Sequence, residues 1–99
     1  MIEIYGKFYD WDADKNLSNI QKHGVPFKEA ASTFQDENAI YFDDETHSKN
    51  EDRFIIIGKS KKTRLLYTCY CFRANDNVIR IISARKATLN EKELYRGAE

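Results

Sequence analysis

Glycine and proline are scarce in this chain, four and one among 99 residues, and cysteine and histidine occur twice each. So little Gly and Pro, with no internal repeat, leaves nothing to build a linker or a low-complexity tract, and one domain spanning residues 1–99 is expected. Cys69 and Cys71 lie two apart in a strand-like run, where a disulfide between them would be strained, and no further Cys or His pair completes a metal site. Both are expected as reduced core thiols. No apolar run is long enough to cross a bilayer, and the start MIEIYGKFYDW lacks a basic opening, an apolar core and a small-residue cleavage site. A cytoplasmic protein without membrane contact follows as an expectation. A G-x-S-x-G elbow, a phosphate-cradling glycine loop and a Cys-His pair in register are also missing, so hydrolysis by a serine or cysteine nucleophile is not indicated.

What the chain does have is charge, unevenly distributed. Residues 1–52 hold 12 acidic and 5 basic side chains and residues 53–99 hold 4 and 11, so the halves carry −7 and +7 while the whole is neutral. The basic half either serves an anionic partner or is neutralised within the fold by the acidic half.

The pattern of apolar residues predicts the elements. KFYDW (7–11) reads as a short strand, and Asp12 caps a helix that Gly24 and Pro26 stop near His23. Pro26 then opens a second helix, with Phe27, Ala30, Ala31 and Phe34 as its core stripe and Lys28, Glu29 and Ser32 pointing away. NAIYF (38–42) reads as a strand. RFIIIGK (53–59), RLLYTCYCFR (64–73) and VIRIISARK (78–86) read as three more, joined by hairpin turns and apolar enough to be covered on both faces. Thr88 and Glu91 form a capping box for a last helix ending at Gly97. The expected class is α+β, in the order β-α-α-β-β-β-β-α with a mainly antiparallel sheet.

Several residues suit polyanion chemistry. The first helix carries Ala13, Leu17 and Ile20 on one side and Lys15, Asn19 and Lys22 on the other, with His23 on a flank. That polar stripe is either a solvated surface or a contact for phosphate oxygens, and His23 is either a proton donor and acceptor or a cation on the helix dipole. Arg53, Arg64 and Arg73 sit at strand ends, where snorkelling is the ordinary reading. Strict alternation puts Arg80 and Lys86 on one face of the last strand and Arg85 with Ser83 on the other, so cations are expected on two surfaces. DDETHSKNED (43–52) matches no calcium loop and reads as an acidic surface loop.

Three motifs occur in order: W-D-x-x-K-x-x-x-N-x-x-K-H-G-V (11–25), E-x-R-F-x-x-x-G (51–58) and I-R-I-I-S-A-R-K-A (79–87). Over about Phe8 to Tyr95 they resemble the BrnT family of bacterial type II toxin-antitoxin toxins. The resemblance implies a RelE-like α+β fold and a ribonuclease without metal or other cofactor that inhibits translation. It implies an RNA substrate and a BrnA-type antitoxin in a hetero-oligomer, with operator DNA reached only through the antitoxin. The implied cleavage is attack of the ribose 2′-hydroxyl on the adjacent phosphate, for which cations and one proton-transfer group suffice. On this resemblance His23, Arg64, Arg80 and Arg85 are the expected catalytic residues. Lys15, Asn19, Lys22, Ser83 and Lys86 are the expected RNA contacts.

Overall fold

A computed structural model describes residues 1–45 and 51–97; His47 and the middle of the acidic loop lie outside the described residues. Ten elements follow in order: β1 (Ile2–Ile4), β2 (Lys7–Asp10), α1 (Ala13–His23), α2 (Phe27–Ser32), a 3₁₀ turn (Thr33–Gln35), β3 (Ile40–Asp43), β4 (Phe54–Lys59), β5 (Leu65–Arg73), β6 (Val78–Lys86) and α3 (Leu89–Gly97). The expected elements are present with one strand more. β1 forms a hairpin with β2 through Tyr5 and Gly6, both at positive φ, and the alternation of Ile2 and Ile4 was its only signal. The six strands lie in the order β1-β2-β6-β5-β4-β3, mainly antiparallel, but β2 runs parallel to β6.

α1 starts and stops on its own chemistry. The Asp12 carboxylate accepts from the Lys15 N–H at 3.0 Å, and Gly24, at φ +69°, closes the helix by donating its N–H to the Ile20 carbonyl at 2.8 Å. Gly58 in the second motif answers a close approach: a Cβ there would stand 3.1 Å from the Thr33 carbonyl oxygen. The box on α3 forms as expected, with Glu91 accepting from the Thr88 N–H at 2.9 Å.

One face of the sheet, the helix face, carries the main core. Tyr9, Phe27, Ala30, Phe34, Ile56, Leu66, Tyr70 and Ile81 pack together under α2 and the 3₁₀ turn. The other face is thinly covered: Ile55, Ile57 and Cys69 pack with Tyr95 of α3, and among the described residues no second helix joins them. Glu29 and Ser32 depart from expectation. They are buried, because the β4–β5 turn folds over α2: Ser60 donates to Glu29 at 2.7 Å and the Lys61 N–H to Ser32 at 2.9 Å.

α1 is inverted relative to its sequence pattern. Leu17 is 60% exposed and Ile20 37%, while Asn19 is buried. The reason lies in β6, which β2 accompanies only over Val78–Arg80. Beyond that point Asn19 takes the place of a neighbouring strand: its amide donates to the Ala84 carbonyl at 2.8 Å and accepts from the Ala84 N–H at 3.1 Å. Its second N–H goes to the Val25 carbonyl at 2.9 Å. Asn19 is therefore no free RNA contact, a correction to its expected role, since both its donors are consumed. Asn19→Ala would strand three buried backbone groups and should lower stability by about 3 kcal/mol, measured by urea unfolding with an unchanged m-value.

Candidate nucleic-acid interface

The expected site residues meet β6 at an irregularity. Cys69 on β5 faces Ser83, whereas the next residue, Tyr70, faces Ile81, so Ile82 is an extra residue opposite the 69–70 link. This bulge overturns the alternation expected for β6. Arg80 faces Cys71 and Arg85 faces Tyr67, both on the thinly covered side of the sheet, and Ile82 packs there too. Lys86, opposite the core residue Leu66, goes to the other side. Arg80 and Arg85 thus share one surface, and strict alternation had separated them.

Two hollows adjoin at the bulge and share Ile82 and Ser83. One, of about 200 Å³, is walled by Lys15, Ser18, Lys22 and His23 of α1, with Asn19 behind. The second, of about 260 Å³, lies on the open face between Asp44, Arg53, Tyr67 and Cys69. The structure therefore brings together five expected residues, Lys15, Asn19, Lys22, His23 and Ser83, and sets Arg64, Arg80, Arg85 and Lys86 outside that group. Sequence reasoning missed the second wall: Asp44 lay in a loop read as an acidic surface, and Arg53 was read as a strand-end cation although the second motif contains it.

Each expected arginine has a carboxylate. Arg64 grips Glu29 with both Nε, at 2.9 Å, and Nη2, and also donates to the Gly24 carbonyl at 3.0 Å. The guanidinium ties the β4–β5 turn to α2 and lines neither hollow at the bulge. Arg85 donates to both Glu91 oxygens at 2.8 and 2.9 Å and stacks 4.0 Å from the Tyr67 ring centre. Arg80 is held more loosely, 3.4 Å from Asp10, and Asp10 keeps a buried oxygen without a hydrogen bond. Neither Asp10 nor its pairing with Arg80 was foreseen.

Cys69 and Cys71 are free and buried, as expected. Burial, with the Asp44 carboxylate adding to it, pushes the Cys69 thiol up to about 12, so it stays protonated and inert. The Arg64 guanidinium holds Glu29 below its ordinary 4.5 against the opposing effect of burial, and the Ser60 hydroxyl helps. The Arg85 guanidinium does the same for Glu91, again against burial. A carboxylate with a depressed folded pKa contributes stability that is complete above its unfolded pKa and lost as pH falls through the folded one. Stability should therefore decline as pH drops below about 4.5, and Glu29→Gln should flatten that decline in urea titrations at several pH values.

The two arginines flanking the bulge should separate on heating. Arg85→Ala loses a forked pair and a ring stack and should cost about 2 kcal/mol, lowering the melting temperature. Arg80→Ala, losing one half-exposed 3.4 Å contact, should cost under about 1 kcal/mol.

Comparison with known proteins bears on what this surface serves. The fold matches the crystal structure of the Brucella abortus ribonuclease toxin BrnT with a TM-score of 0.62 over 83% of this chain and 97% of that one, at 23% identity. At that identity the likeness is one of fold. No curated protein sequence matches the chain. The profile of the family described as the ribonuclease toxin BrnT of type II toxin-antitoxin systems matches residues 11–91, which takes in all three motifs, α1 and the bulged strand. This chain belongs to the BrnT family of ribonuclease toxins of type II toxin-antitoxin systems.

Proposed function

We propose that the chain is a single-domain, RelE-like endoribonuclease that cleaves RNA without metal, inhibits translation and is neutralised by a BrnA-type antitoxin. Such an antitoxin would hold it in a hetero-oligomer and carry any contact with operator DNA. The observation that supports this best is the pair of hollows joined at the β6 bulge, where His23 stands among Lys15, Lys22 and Ser83. In the proposed reaction the ribose 2′-oxygen bonds to the adjacent phosphorus, the bond from phosphorus to the 5′-oxygen breaks, and a 2′,3′-cyclic phosphate and a 5′-hydroxyl result. One proton leaves the 2′-hydroxyl and one reaches the departing oxygen. His23, exposed at the end of α1, is the proposed group for one of these transfers.

Lys15 and Lys22 hold the strand, Ser83 donates from the bulge, and Arg80 and Arg85 flank it and offset the charge that develops on phosphate. RNA brings its own nucleophile, so no activated side chain is required. The cations take the part a metal ion plays elsewhere. The carboxylate partners of Arg64 and Arg85 favour a second reading, a catalytically silent module that binds RNA or antitoxin through the same surface.

Purified protein should cleave RNA in excess chelator and leave cyclic phosphate ends. His23→Ala should slow cleavage by about 10²- to 10⁴-fold with little change in melting temperature, because the side chain is exposed. Loss of cleavage in chelator with recovery in magnesium would overturn the mechanism. Normal growth on expression without antitoxin would favour the silent module.

A further inference from the structure

At the far end of the sheet the β4–β5 turn and α3 enclose a cavity of about 620 Å³, larger than either hollow at the bulge. Five cations line it, Lys59, Arg64, Lys86, Lys92 and Arg96, and no carboxylate does. We propose that this cavity binds backbone phosphates of the RNA strand on one side of the cleavage point. The proposal rests on the ribonuclease reading of the bulge and extends it to a second, remote contact with the same substrate.

The division of labour among the cations supports it. All six arginines of the chain form ion pairs, and the ion pairs among the described residues all belong to arginines. Lysines are the charge left over, and three of them converge here from different elements, β4, β6 and α3. Lys86 and Lys92 have no carboxylate within ion-pair distance among the described residues. Converging like charges repel, and an anion between them relieves that cost.

The frame around these lysines is rigid. Arg64 is fixed by Glu29, and Tyr95 on the floor donates its hydroxyl to Asp36 at 2.7 Å. Thr63 on the rim holds φ +61°, a left-handed conformation that β-branched residues avoid and glycine would adopt freely. Its N–H is tied to the Ser60 carbonyl at 2.8 Å. Strained backbone of this kind collects at ligand sites.

Lys86 leaves the opposite face of the sheet from Ser83, so an RNA strand would reach the cavity by passing the sheet's end. Lys86 lies three residues beyond Ser83 on β6, a rise of about 10 Å, which is the axial span of about three nucleotides. Free phosphate anions share the chemistry of an RNA backbone, so the test must separate the two.

The experiment compares Lys59→Gln/Lys86→Gln/Lys92→Gln with a control of equal charge, Lys28→Gln/Lys61→Gln/Lys62→Gln, whose lysines line a different, mainly apolar hollow beside α2. Binding of a 2′-O-methyl RNA, which cannot be cleaved, is measured against salt. The cavity variant should bind about tenfold more weakly, with the slope of log K against log salt reduced by about 2, three contacts at about 0.7 each. On cleavable RNA it should raise KM and leave kcat unchanged. Equal losses in both variants would assign the effect to net charge and overturn the site. RNA affinity unchanged in the cavity variant overturns it too, whether tripolyphosphate or an acidic antitoxin segment then proves to bind there. Because the 2′-O-methyl arm needs no catalysis, a wild type that binds through the cavity without cleaving RNA refutes the ribonuclease reading and leaves the cavity standing.

Discussion

The side-chain amide of Asn19 takes the place of a seventh length of strand, and the arrangement of the molecule follows from it. β2 pairs with β6 for three residues and then turns away into α1, leaving two thirds of β6 with an open edge. An open edge exposes backbone donors and acceptors that water or another strand must satisfy. Asn19 meets both groups of Ala84 with the geometry of a peptide, and that exchange seats α1 against the sheet edge with its polar side inward. Asn16 adds to the same seam by accepting from the Phe27 N–H at 2.9 Å, which joins the first turn of α1 to the start of α2. Lys15, Lys22 and His23 reach the bulge because Asn19 holds the helix beside it.

Charge in this chain divides by residue type as well as by position. Four arginines of the basic half, Arg53, Arg64, Arg73 and Arg80, pair with carboxylates of the acidic half. A planar guanidinium fits a carboxylate with two donors, so it suits fixed internal pairs, whereas an ammonium on a flexible stem stays hydrated and available. The opposite charges of the two halves are thus partly spent within the fold. The surplus is carried by lysines at the bulge and at the far cavity.

Much of the fold was legible because local chemistry declared it. Asp12 and Gly24 mark both ends of α1, Thr88 and Glu91 mark the start of α3, and the stripe of Phe27, Ala30, Ala31 and Phe34 is buried as its spacing required. The parallel β2–β6 pair was not legible, since nothing in a three-residue contact states its direction. The site was only half legible. The first motif contains Lys15, Lys22 and His23, which share one hollow, but alternation carries no mark of an extra residue, so the faces of β6 came out wrong beyond Ile82. Asn19 looked like a surface amide because its helix shows solvent the apolar side, and its two partners lie 65 residues away on Ala84.

The bulge also makes position 82 sensitive to length in a way that composition does not reveal. A substitution at Ile82 alters one contact in the small core beside Tyr67 and Ile55. A deletion there would restore strict alternation, and every residue on one side of it would exchange faces with its neighbour relative to the other side. Arg85 would then turn toward the core and Lys86 toward the open surface. The single extra residue therefore works as a reading-frame marker for the sheet, and homologous strands can be compared face by face only when they are aligned through it.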